Sequence, residues 1–163
     1  MTGKDRLRWT RVPIAVVTGA LLMVCASAMN LLAATTGSVQ DRSVWEGAYT
    51  DAQATRGEKV FIRACAECHS HALGETAGDG TAPSLIGEDF SFRWMGSSLA
   101  YLFDTIRQTM PDAAPNSLDP REYAAVTAYL LKLNKYPAGA AELDHTARKK
   151  LEHIFIDEGP PAD

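Results

Sequence analysis

The sequence predicts an all-α domain of three main helices joined by long loops. Three observations carry that prediction. No stretch of the body sustains the period-two alternation of a half-buried strand. Three segments set apolar residues at helical spacing behind good helix-start residues. The segments between them are rich in Gly, Ser, Thr, Ala, Asp and Pro and read as loops.

The first helix opens at Thr50-x-x-Gln53, a capping-box pattern. Behind it Gly57, Val60, Phe61, Ala64 and Cys68 recur at helical spacing. Ser97 or Ser98 caps the second, which carries Leu99, Leu102, Phe103 and Ile106 on one face and ends before Pro111. Asp119-Pro120-Arg121-Glu122 is the clearest start: an N-cap aspartate, proline at the first helical position, glutamate at the third. Tyr123, Val126, Leu130 and Leu133 form its stripe. Lys132 and Lys135 suit its C-terminal dipole, and Pro137 prevents continuation. Residues 70–92 and 111–118 read as loops. A short amphipathic helix is expected around 146–155, with Ala147, Leu151, Ile154 and Phe155 inward. No internal repeat is visible.

The 163 residues suffice for one domain and a targeting segment. Residues 1–11 are basic, residues 12–29 carry no charge, and Ala26-Ser27-Ala28 reads as a small-x-small cleavage site, the layout of a secretory signal peptide. The apolar run continues through Leu31-Leu32-Ala33-Ala34, interrupted by Asn30, and is long enough to span a bilayer if it is retained. Residues 1–34 are therefore a signal peptide or an N-terminal membrane anchor, 35–43 a linker, 44–137 the folded domain, and 138–163 a C-terminal tail with that short docked helix. Lipidation at Cys25 is disfavoured, because Leu22-Met23-Val24 lacks the small residue wanted before such a cysteine. From residue 35 onward, 12 basic residues face 19 acidic ones, a net charge of −7. An acidic body disfavours nucleic acid as a partner and non-specific adsorption to anionic membrane.

Cys65-Ala66-Glu67-Cys68-His69 narrows the chemistry most. Two cysteines two residues apart, followed at once by histidine, form the attachment pattern of c-type haem. Each thiol adds to one vinyl group, and two intervening residues on a turn hold the sulfurs a vinyl-to-vinyl distance apart. His69 then lies under the iron as proximal ligand. A bare CxxC also occurs in zinc sites and redox dithiols. Zinc would want a second CxxC or an HxxxH, and a redox dithiol a βαβ setting; the sequence has neither. Haem c is attached after export, on the oxidising side of the bacterial membrane, which agrees with the N-terminal layout.

One axial position remains. The candidates are Met95, Met110, His71, His145 and His153. His71, two residues beyond His69, cannot cross to the other haem face. Met95 would need a short wrap and reads as a core or surface-loop residue. His145 and His153 sit in the polar tail and read as solvated. Met110, at the end of the second helix and held by Pro111, is far enough downstream to return on the opposite face. From position alone, ligand and packing residue are both open for it.

The chain resembles a class I cytochrome c over roughly residues 44–136. The likeness rests on Gly57 and Phe61, Cys65-Ala66-Glu67-Cys68-His69, Ala82-Pro83-Ser84-Leu85-Ile86-Gly87, Thr109-Met110-Pro111 and Tyr129. It implies a helical fold around one haem c, Met110 as distal ligand, and the Pro83 carbonyl fixing the proximal imidazole. Gly57 and Tyr129 match the crossing of the first and last helices. A closer likeness, in Val44-Trp45-Glu46-Gly47-Ala48-Tyr49-Thr50, Arg56-Gly57, Arg93-Trp94 and Ile106-Arg107-Gln108-Thr109-Met110-Pro111, is to cytochromes that accept electrons from quinoprotein (PQQ-dependent) dehydrogenases. It makes Arg93 and Trp94 candidates for hydrogen bonds to the haem propionates, against a solvated charge and a core aromatic. Trp45 and Tyr49 are expected to pack against the body.

The resemblance implies an exported electron carrier, not an enzyme. It would be periplasmic, or anchored to the inner membrane facing the periplasm. The expected donor is a quinoprotein dehydrogenase, and the expected acceptor a respiratory oxidase or another cytochrome. Two alternatives stay open: a haem peroxidase or ligand-binding cytochrome with a displaceable sixth ligand, and a fixed cytochrome subunit of a membrane respiratory complex.

Overall fold

The computed structural model describes residues 40–69 and 82–159. The expected signal peptide or anchor, most of the linker, and His71 lie outside the described residues. Among those described, no helix is long and apolar enough to cross a membrane. The elements run in the order β1 (Arg42–Ser43), a 3-10 turn (Val44–Glu46), α1 (Asp51–Ala64), α2 (Gly87–Trp94), α3 (Leu99–Thr109), α4 (Pro120–Leu133), α5 (Arg148–Leu151) and β2 (Ile154–Phe155).

The helices expected from the sequence are α1, α3 and α4, and their caps explain their starts. The Thr50 hydroxyl accepts from the Gln53 N–H at 3.2 Å. Ser98, not Ser97, caps α3. Asp119 accepts from the Arg121 N–H at 2.8 Å, and Glu122 returns to the Asp119 N–H at 3.2 Å, completing the capping box. α4 ends before Pro137 acts: Asn134 terminates it and Lys135 takes a positive φ of 68°. Its face is apolar almost without interruption, burying Tyr123 through Ala128, Leu130 and Leu131. α1 and α4 make the most extensive contact in the domain. They cross at Gly57, where a Cβ would stand 1.8 Å from the Ala125 carbonyl oxygen and 3.0 Å from the Tyr129 Cβ. Phe61 and Tyr129 meet at a tilt of 54° one turn on, with ring centroids 5.4 Å apart.

Four expectations are corrected. Residues 70–81 of the expected loop lie outside the described residues, and 82–92 are not loop throughout, because α2 occupies Gly87–Trp94. Only Phe90 and Trp94, one turn apart, are buried in it; two anchors in eight residues are too few to register as a period. The expected helix at 146–155 shortens to Arg148–Leu151, and Ile154–Phe155 pairs in parallel with Arg42–Ser43. The end of the expected linker is therefore tied down: the Arg42 N–H donates to the His153 carbonyl at 2.8 Å and the Ser43 hydroxyl to Asp157 at 2.7 Å. His153 is not merely solvated, since its Nδ1 lies 2.7 Å from the Asp41 carboxylate. Finally, Gln53 does not close a capping box. Its buried amide pairs with the backbone of Leu143, Nε2 to the carbonyl at 2.9 Å and the Leu143 N–H to Oε1 at 2.8 Å.

Trp45 and Tyr49 pack against the body as expected. The Tyr49 hydroxyl donates to the Tyr136 carbonyl at 2.6 Å, and the Trp45 indole donates to the Asp157 carbonyl at 2.9 Å while meeting Tyr136 edge-on. The C-terminal segment buries Leu143, Leu151, Ile154 and Ile156 in the same core.

Candidate functional site

α1 delivers the Cys–His motif. Cys65 ends the helix, its N–H still donating to the Phe61 carbonyl at 2.8 Å. The chain then makes one tight turn. The Cys65 carbonyl accepts from both the Cys68 N–H (3.2 Å) and the His69 N–H (2.8 Å). Ala66 inside this turn is buried, Cys65 and His69 are half-buried, and Cys68 is exposed. Both thiols are free. Burial pushes the Cys65 thiol up to about 11, with the Arg63 cation opposing and Cys68 adding to the rise. Its place at a helix C-terminus also disfavours a thiolate. A redox dithiol needs the reverse, a thiol lowered by a helix N-terminus or a nearby cation.

Pro83, 14 residues further along the chain than His69, meets the motif. Its carbonyl lies 3.2 Å from Nδ1 of His69, so that nitrogen is engaged and Nε2 is left as the ring's other donor atom. Asn134, which the sequence reading did not single out, fixes the segment after Pro83. Its Nδ2 donates to the Leu85 carbonyl at 2.9 Å, and its Oδ1 accepts from the Gly87 N–H at 2.9 Å. The only sequence cue was an asparagine directly after the last apolar residue of a helix.

Met110 terminates α3, with its N–H on the Ile106 carbonyl at 2.8 Å. Pro111 disfavours helical backbone at the residue before it, and Met110 is extended (φ −125°, ψ 154°). Its carbonyl accepts from the Tyr123 hydroxyl at 2.8 Å. Met95 is a surface residue after α2. Trp94 is buried and meets Tyr101 edge-on, with ring centroids 5.8 Å apart, while Arg93 is exposed. Among the described residues no hydrogen bond links Arg93 or Trp94 to the Cys–His turn, Pro83 or Met110.

These residues fit a covalently held haem. Two free thiols sit one turn apart beside an imidazole whose Nδ1 is already engaged. Leu85, Ile106, Leu118 and Leu133 pack against the core yet stay half-buried, so apolar surface remains for a flat apolar group to cover.

Residues 52–130 match the family model described as cytochrome c oxidase, cbb3-type, subunit III. That family is one of c-type cytochrome domains, and the match supports a class I cytochrome c. The match runs from the start of α1 into α4 and so includes the Cys–His turn, Pro83 and Met110. The all-α arrangement is the class I cytochrome c fold. A cytochrome domain of this kind binds haem and passes electrons to and from protein partners. No curated protein and no solved structure matches the chain.

Proposed function

We propose that this cytochrome is an exported single-electron carrier, periplasmic or anchored to the inner membrane facing the periplasm. In this reading Cys65 and Cys68 tether one haem c, His69 supplies Nε2 as proximal ligand, and Met110 supplies a thioether as distal ligand. The haem, when bound, supplies one-electron Fe(III)/Fe(II) exchange, and imidazole–thioether ligation raises its potential. The observation that carries the reading is the Pro83–His69 contact, because it fixes the ring's orientation and commits one nitrogen. If His69 and Met110 both held the haem iron, the chain would leave no position open for substrate, which favours a carrier over a peroxidase. Arg93 and Trp94 remain candidates for the propionates.

The ligand assignment is tested by optical spectroscopy of the oxidised protein. Met110→Ala is expected to remove the weak sulfur-to-iron charge-transfer band and to lower the potential. Met95→Ala is expected to do neither. If Met95→Ala loses the band instead, the assigned methionine is wrong.

For the donor we propose a quinoprotein dehydrogenase, on the resemblance around Trp45, Arg93-Trp94 and Met110. A second reading, a fixed subunit of a respiratory oxidase, is favoured by the description of the matching family. Stopped-flow mixing with a substrate-reduced quinoprotein separates them. Fast reduction, slowing as salt rises if the donor docks through a basic face, is expected for the first. No reduction at any salt, with stoichiometric co-purification in an oxidase complex, would replace it with the second.

A further inference from the structure

Tyr123 lies on the inner face of α4 and is only 1 % exposed. Its hydroxyl reaches across to the loop that follows α3. It donates to the Met110 carbonyl at 2.8 Å and accepts from the Leu118 N–H at 3.3 Å. One hydroxyl, used as donor and acceptor, closes the loop 110–118 at both ends. Little else holds that loop from the inside, because residues 112–117 are all exposed. Its other tether is on the outer side, where the Asn116 N–H donates to the Arg107 carbonyl at 2.9 Å and the Arg107 Nε to Asn116 Oδ1 at 2.8 Å.

We propose that Tyr123 is a positioning residue for Met110, its hydroxyl latching the loop that presents the thioether and so setting how often the sixth position of the iron opens. This rests on Met110 being the distal ligand. The physical chain is short. The backbone of Met110 is pinned at its N–H by Ile106 and at its carbonyl by Tyr123, and Pro111 favours the extended conformation between them. Deleting the hydroxyl frees the carbonyl end and the Leu118 N–H together. Both residues are half-buried, so water can satisfy the freed groups and the fold survives. What changes is the balance between latched and open loop. Counting only the shorter of the two hydrogen bonds lost, the one to the Met110 carbonyl, the open fraction rises about 5-fold. A competing ligand binds only the open form, so its apparent affinity rises by the same factor.

The test is an imidazole titration of the oxidised, haem-loaded protein, followed by visible absorbance, on four forms: wild type, Tyr123→Phe, Tyr49→Phe and Met110→Ala. Tyr49→Phe is the matched control. It also deletes a buried hydroxyl donating to a backbone carbonyl, that of Tyr136, with no hydrogen bond to the Met110 loop. The expected result is imidazole binding about 5-fold tighter in Tyr123→Phe than in wild type. Tyr49→Phe should stay within about twofold of wild type, and Met110→Ala should bind tightest. Equal gains in Tyr123→Phe and Tyr49→Phe would reduce the effect to general loosening and overturn the proposal. No gain in Tyr123→Phe beside a large gain in Met110→Ala would overturn it while leaving the ligand assignment standing. No gain in Met110→Ala would remove the assignment, and the latch with it.

Discussion

Replacing Gly57 by alanine is expected to lower the melting temperature of the haem-loaded protein by about 15 °C, the result of about 3 kcal/mol of overpacking. The added methyl would sit 1.8 Å from the Ala125 carbonyl oxygen and 2.4 Å from its carbon. Both are backbone atoms of α4, so no rotamer change relieves the clash and the helices must part. Parting them opens the Phe61–Tyr129 contact and shifts the end of α1, which carries the Cys–His turn. Gly96→Ala is the informative comparison. Gly96 has a φ of +78° and open space around its missing Cβ, so only backbone strain of about 1 kcal/mol is expected. Thermal unfolding of both variants checks the contrast. If Gly57→Ala melts within a few degrees of wild type, the close crossing is wrong.

What the sequence made legible was local. Thr50, Ser98 and Asp119 announce the helix starts, because a capping side chain bonds to N–H groups two or three residues away. The Cys65–His69 turn is legible for the same reason, all its geometry lying within five residues. Gly57 was readable only through resemblance, since a glycine inside a helix pattern does not say what approaches it. The illegible features pair residues far apart in the chain. The Gln53 amide finds Leu143, the Trp45 indole finds Asp157, and Arg42–Ser43 finds Ile154–Phe155. Gln53 shows how a local rule can mislead: it stands at the right spacing for a capping box, but its amide is spent on two buried hydrogen bonds elsewhere. Tyr123 fits the apolar stripe of α4 by its ring, and nothing local reveals that its hydroxyl holds the Met110 loop. α2 is not legible because its two buried aromatics stand among exposed neighbours, one of them the aromatic Phe92, which blurs the helical spacing.

Removing both thiols, Cys65→Ala with Cys68→Ala, is expected to abolish haem that survives denaturing electrophoresis. The thioether bonds form by addition of each S–H across a vinyl group, and no other described residue offers a free thiol. Each single variant should keep some covalent haem, since one bond suffices to retain it through denaturation. Attachment and ligation are separable here. His69 remains tied to Pro83 and Met110 to Tyr123 in the double variant, so the native protein can still take up haem non-covalently and show a six-coordinate spectrum. A blank denaturing gel beside a coloured native sample would assign tethering to the cysteines and ligation to the other pair. Loss of the tether should also destabilise the fold, because a haem free to leave would uncover the half-buried Leu85, Ile106, Leu118 and Leu133. Covalent haem persisting in the double variant would overturn the assignment of Cys65 and Cys68, and with it the reading of the turn that His69 completes.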